Sequence, residues 1–204
     1  MRKVIAFLSS MTLDGIAANP EYPAEIAVQN DLESNPLWTP RMSSVDTLLL
    51  GRITYLKWAG FWPQQKNDPN NSRFMKEFSE FADRVEKVVF SKSLQSVEWP
   101  NSRIARGNPR QEIALIRERP GGDLALGGGP RLIQSFLDQD LVDELLIGLN
   151  PSLVGSGKPF FRVRPDPDHD PDLVPLGATG RHDFRPVEAK VLRDGSVYLH
   201  YVRA

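Results

Sequence analysis

Asp123-Leu124-Ala125-Leu126-Gly127-Gly128-Gly129-Pro130-Arg131-Leu132-Ile133 is the stretch that decides how this chain is read. Residues 123–126 predict a short buried strand, and the three glycines predict a turn. Glycine lets the backbone bend sharply and leaves nothing in the way of a ligand. Pro130 suits the first turn of a helix, where a missing N–H costs nothing. A helix that starts on bare glycines offers free N–H groups and a partial positive charge, which suit a phosphate. The stretch therefore predicts a strand–turn–helix unit that binds a nucleotide. It is not a Walker A loop, because no Gly-Lys-Ser/Thr follows. It does not complete Gly-x-Gly-x-x-Gly either, because Leu132 stands at the third glycine position.

Working outward, strands and helices alternate. Residues 3–9 predict a strand, and Thr12-Leu13-Asp14-Gly15 a turn. Residues 23–34 predict a helix with Ile26 and Leu32 on its apolar side. Thr47–Leu50 predict a second strand, followed by a helix over 52–58 and a loop over 60–70. Phe74, Phe78, Phe81 and Val85 recur at helical spacing behind a cap at Asn71 or Ser72, and such a stripe faces a core. Strands at 87–91 and 103–106, a helix at 110–118, a helix at 130–138 and a strand at 143–149 follow. Residues 155–159 and 164–183 read as loops. Alternation over 187–193 and 196–202 around Asp194-Gly195 predicts a hairpin. The pattern predicts one α/β domain over residues 1–204, with a mixed, mostly parallel sheet and an antiparallel C-terminal edge.

Composition narrows the function. Lys plus Arg number 25 against 26 for Asp plus Glu, so no basic excess points to nucleic acid. Cysteine is absent, which removes disulfides, thiolate catalysis and Cys-type zinc sites, and fits a cytoplasmic protein. The apolar run Val4–Leu8 is too short for a secretory core and reads as a buried strand. No run approaches the ~20 apolar residues of a membrane span, so no membrane partner is expected.

Three segments share one design: an apolar strand, then residues suited to a phosphate. They are Leu48-Leu49-Leu50-Gly51-Arg52-Ile53-Thr54, Val88-Val89-Phe90-Ser91-Lys92, and the triple glycine. Ligands of open α/β sheets sit beyond the carboxyl ends of strands. If the strands are parallel neighbours, Arg52, Thr54, Ser91, Lys92 and Gly127–Gly129 converge on one edge.

In its order of motifs the chain resembles the dihydrofolate reductase-like family that includes the reductase domain at the C-terminus of the riboflavin-biosynthesis protein RibD. The matching stretches are Ser10–Ala17, Leu49–Tyr55, Lys87–Lys92, Leu126–Leu145 and Asn150–Phe161. The resemblance implies a three-layer fold with helices on both faces of the sheet, NADPH as cofactor, a small-molecule substrate and a homodimer. It assigns Gly51, Arg52 and Thr54 to the adenosine-phosphate side of the cofactor. Ser91 and Lys92 fall beside the 2′-phosphate, and Gly127, Gly128 and Gly129 at the pyrophosphate. Arg52 and Lys92 make chemical sense as a clamp on the extra phosphate of NADPH. The Asp14-Gly15 turn matches the loop bordering nicotinamide and substrate, and Asp14 is the candidate catalytic residue, as orienter or proton relay.

The implied activity is hydride transfer to a C=N or C=O, of the ribosylaminopyrimidine-reducing or the folate-reducing type. A nucleotide-binding sensor without catalysis is the alternative. Leu126 stands where the riboflavin reductases usually carry an acid, and neither Glu21 nor Glu25 is singled out as a pterin-binding carboxylate. Trp58, Phe61 and Trp62 read as packed core before pocket wall. Asp166, Asp168, His169, Asp170 and Asp172 are spaced by prolines in a loop, and no metal site is expected there. His200 is expected to be packed or exposed, and not catalytic.

Overall fold

The computed structural model describes residues 1–18, 35–161 and 182–204. In chain order the elements are β1 (Val4–Thr12), β2 (Ile16–Ala18), β3 (Val45–Gly51), α1 (Arg52–Gln65), α2 (Arg73–Arg84), β4 (Glu86–Phe90) and β5 (Ser102–Ile104). There follow α3 (Pro109–Arg117), β6 (Asp123–Leu126), α4 (Pro130–Leu137), β7 (Glu144–Asn150), β8 (Lys158–Pro159), β9 (Phe184–Val191) and β10 (Val197–Arg203). Eight strands form one sheet in the order β5-β4-β3-β6-β1-β7-β10-β9, and β2 pairs with β8 in a small second sheet. All neighbours from β5 to β7 are parallel, whereas β7–β10 and β10–β9 are antiparallel. The mixed, mostly parallel sheet with an antiparallel C-terminal hairpin is thus as the sequence predicts. Gly195 carries the hairpin turn at φ +82°, a conformation that favours glycine.

Strand alternation sorts the apolar residues onto two faces. Ile5, Phe7, Leu48, Leu50, Val89 and Ala125 face a core completed by Tyr55 and Trp62 of α1 and Phe74, Phe78 and Phe81 of α2. Val4, Ala6, Leu8, Leu49, Val88, Leu124 and Leu126 face the other, completed by Ile113 and Ile116 of α3 and Ile133, Phe136 and Leu137 of α4. Helices therefore cover both faces. The continuous apolar runs of β1, β3 and β6 follow from burial on both sides.

Several boundaries differ from the sequence reading, β5, β8 and β9 among them, and two have a clear physical reason. The loop expected over 60–70 begins later, because α1 continues to Gln65 with Pro63 inside it. Burial of Trp62 against Phe78, with ring centroids 4.4 Å apart, holds that last part of the helix. β1 continues to Thr12 because β7 pairs along it as far as Asn150. The helix expected over 23–34 and the Asp/His cluster at 166–172 lie outside the described residues.

His200 is packed, as expected. Its Nε2 lies 2.8 Å from Oε2 of Glu144, at the amino end of β7. Glu144 also meets Lys3 at 2.7 Å and Arg41 at 3.3 Å. Burial alone pushes this carboxyl up, but hydrogen bonds from Lys3 and His200 and the charge of Arg41 hold it below the usual range.

Candidate functional site

β4, β3 and β6 are consecutive parallel strands, so their carboxyl ends share one edge of the sheet. β4 and β6 lie two strand spacings apart, about 10 Å. The turn after β3 supplies Arg52 and Thr54, the turn after β4 supplies Ser91 and Lys92, and the turn after β6 supplies Gly127–Gly129. The convergence expected from sequence is therefore present. Arg52 and Lys92 are exposed.

The three glycines have three different reasons to be glycine. A Cβ on Gly128 would lie 2.6 Å from Cδ2 and 2.9 Å from Cβ of Leu132, so the chain itself excludes a side chain there. A Cβ on Gly127 would sit 3.4 Å from Cη2 of Trp58 and 3.5 Å from Leu50, in near contact with the core. Around Gly129 there is nothing within 4 Å, and its φ of −69° suits any residue. Neither the fold nor the backbone needs glycine at 129. Open space beside a helix start is what an approaching ligand needs.

Hydrogen bonding points the same way. The N–H of Gly127 donates to the carbonyl of Leu49 at 3.1 Å, tying the turn to β3. Among the described residues no acceptor is recorded for the N–H groups of Gly128 and Gly129. α4 has Gly129 as its N-cap, with no side-chain cap and no acid in the first turn. α1 begins in the same manner on Gly51. Ser91 Oγ accepts from the N–H groups of Ser93 and Leu94, at 3.1 and 3.0 Å, which shapes the turn after β4 and leaves its O–H to donate elsewhere.

Asp14 is exposed, yet both its carboxylate oxygens accept hydrogen bonds. One oxygen accepts from Thr12 Oγ1 at 2.5 Å, and the other from the N–H groups of Gly155 at 2.8 Å and Val154 at 3.2 Å. The Thr12 hydrogen bond, then that of Gly155, holds its carboxyl below the usual range. Asp14 thus staples the β1–β2 turn to the loop after β7. Gly15, at φ +75°, completes that turn.

Several features of this edge were not read from sequence. Trp58 stands against the glycine turn and Trp62 is core as expected, whereas Phe61, also read as core, is 43% exposed. Arg106, just past β5, and Arg131, in the first turn of α4, add exposed cations; only their place after a strand end signals them. Asn150 Nδ2 donates to Ser10 Oγ at 3.1 Å across the ends of β7 and β1. A cleft of about 630 Å³ between α1 and residues 96–100, lined by Tyr55, Ala59 and Trp99, contains none of the residues expected at the site. Among the described residues no group of three or more His, Asp or Glu is placed to hold a metal, and no helix is long and apolar enough to cross a membrane.

The RibD C-terminal domain model matches residues 2–168. The chain belongs to that family. An uncharacterized protein, YyaP, of Bacillus subtilis is 29% identical over 161 residues, covering 78% of this chain and 80% of YyaP. A putative riboflavin biosynthesis protein from Shewanella sp. PV-4 superposes with a TM-score of 0.72 at 22% identity, over 99% of both chains. Dihydrofolate reductase from Enterococcus faecalis, solved with NADP(H), superposes with a TM-score of 0.55 at 14% identity, over 98% of this chain and 96% of that one. The fold of this RibD C-terminal family member is dihydrofolate reductase-like.

Proposed function

We propose that this RibD C-terminal family member is an NADPH-dependent reductase acting on a C=N or C=O of a small heterocyclic or carbonyl substrate. The observation that carries the proposal is the open space at Gly129, beside an uncapped helix and on the same edge as Arg52 and Lys92. When bound, NADPH supplies the hydride. Gly128 and Gly129 N–H groups and the start of α4 would hold its pyrophosphate. Gly51, Arg52 and Thr54 would meet the adenosine-phosphate side of the cofactor, with Arg52 joining Ser91 and Lys92 at the 2′-phosphate. Asp14, held ionised by its donors, serves as an orienter of the 152–156 loop; as a carboxylate it does not itself donate the proton. The reduction is of the ribosylaminopyrimidine or dihydrofolate type, in an assembly of two copies.

One observation favours the second reading, a nucleotide sensor without turnover. Asp14, the leading acid, is committed to Thr12, Val154 and Gly155. Fluorescence titration with NADPH and NADH, followed by 340 nm assays with dihydrofolate and with the ribosylaminopyrimidine, separates the two. Binding with turnover supports the reductase, and tight NADPH binding with no turnover supports the sensor. Failure to bind either nucleotide removes both readings. Light scattering of the purified protein checks the two-copy assembly.

A further inference from the structure

The register of the sheet sets one more cation in line with the turns after β3 and β4. Gly51 of β3 pairs with Phe90 of β4, and Val89 of β4 pairs with Ile104 of β5. The ladder runs one residue past β5, because the N–H of Ala105 donates to the carbonyl of Val89 at 3.0 Å. Gly51, Phe90 and Ala105 therefore stand level, and the next residues outward are Arg52, Ser91 and Arg106. β4 lies between β3 and β5, so the two arginines bracket Ser91. By strand spacing their backbones are about 10 Å apart.

The turn that carries Arg106 is fixed from within. Glu112 of α3 is only 1% exposed. Its Oε2 accepts from the Arg106 N–H at 2.7 Å, and its Oε1 meets Nη2 of Arg103 at 2.6 Å. Asn108 and Gln111 close the capping box just beyond. Glu112 thus holds the backbone of Arg106 and pairs its charge with a different residue, Arg103.

Other cations of the sheet are paired. Around the amino ends of the parallel strands Arg2 meets Asp46, Lys3 meets Glu144 and Arg117 meets Asp143. Among the described residues neither Arg52 nor Arg106 is in an ion pair, and both are exposed. Like charges in one row repel, and an anion held between them relieves that repulsion. Arginine binds phosphate through paired N–H groups, and a rigid turn loses little freedom in doing so.

Resting on the NADPH reading above, we infer that Arg106 determines nucleotide specificity: Arg106 and Arg52 grip the 2′-phosphate from the two sides of Ser91. NADH lacks that phosphate, so Arg106 contributes to NADPH alone.

The test is fluorescence titration of wild type, Arg106→Ala and Arg106→Glu with NADPH and with NADH. Wild type should prefer NADPH. Arg106→Ala should weaken NADPH by about tenfold or more, the loss of a charged hydrogen bond, and NADH by less than about twofold. Arg106→Glu should weaken NADPH further through repulsion, with NADH again little changed. An NADPH affinity of Arg106→Ala within about twofold of wild type, or equal losses for the two nucleotides, removes Arg106 from the 2′-phosphate and leaves the NADPH reading standing. Wild-type protein that binds neither nucleotide, or binds both alike, instead overturns the NADPH reading beneath it.

Discussion

The four helices among the described residues start in two different ways. α2 is capped by Ser72, whose side chain accepts from the N–H of Met75. α3 is capped more fully: Asn108 accepts from Gln111 N–H, and the Gln111 side chain reaches back to the Asn108 N–H. Glu112 in its first turn is buried on Arg103 and accepts from the Arg106 N–H. α1 and α4 have none of this, only Gly51 and Gly129. Against a glycine cap, Ser or Asp would add about a few tenths of a kcal/mol, so leaving two helices on glycine forgoes only a little stability. Both open helices flank β3, where the candidate phosphate turns meet. The chain satisfies its own donors where it needs rigidity and leaves them unspent where a ligand is proposed to come.

Closing an open helix should have the largest effect. Gly129→Asp would give α4 an acidic cap in empty space. Melting stability should hold or rise by about a few tenths of a kcal/mol, while NADPH affinity should fall by about 100-fold or more through repulsion of the pyrophosphate. Parallel loss of both would show that Gly129 serves the fold. Next comes Arg52→Ala. Titration should show NADPH weakened by about 10- to 100-fold and NADH by less than about threefold, since a charged hydrogen bond to the 2′-phosphate is lost. Equal losses would move Arg52 away from that phosphate.

The neighbouring glycines sharpen the contrast further. Gly128→Ala must displace Leu132 and should cost about 1–3 kcal/mol in denaturant melts, against under about 1 kcal/mol for Gly129→Ala. Removing the native caps should do the reverse of removing the glycine: Ser72→Ala and Asn108→Ala should each lose about 1 kcal/mol with NADPH affinity unchanged. Acid should have the smallest effect. The Asp14 carboxyl is held below its ordinary 3.8, so its staple is complete above that pH and is lost only as pH falls through the lowered value. NADPH affinity measured between about pH 5 and 8 should carry no inflection from Asp14, and Asp14→Asn should leave the shape of that profile unchanged.

The sequence was most legible where the cause is local. The strand, turn and helix around Gly127–Gly129 are found within a residue of their expected bounds, because strand, glycine and proline signals lie side by side. The phenylalanine stripe of α2 and the Asp194-Gly195 hairpin are equally local. What the sequence concealed is carried by distant contacts. That Leu132 excludes a side chain at Gly128 depends on how α4 leaves the turn. Asp14 finds Gly155, and Ser10 finds Asn150, only because β1 and β7 pair. Helix α1 passes through Pro63 because burial of Trp62 outweighs a breaker that reads strongly in isolation.

The place of β1 also sets a timetable for synthesis. This strand comes first in the chain but sits inside the sheet between β6 and β7, and its partners are residues 124–126 and 144–150. On the ribosome, Val4–Leu8 must wait for both. At roughly 5–20 residues per second the delay is on the order of ten seconds. During that time one of the most apolar segments of the chain has no native neighbour, so it is the natural target for chaperones on the nascent chain.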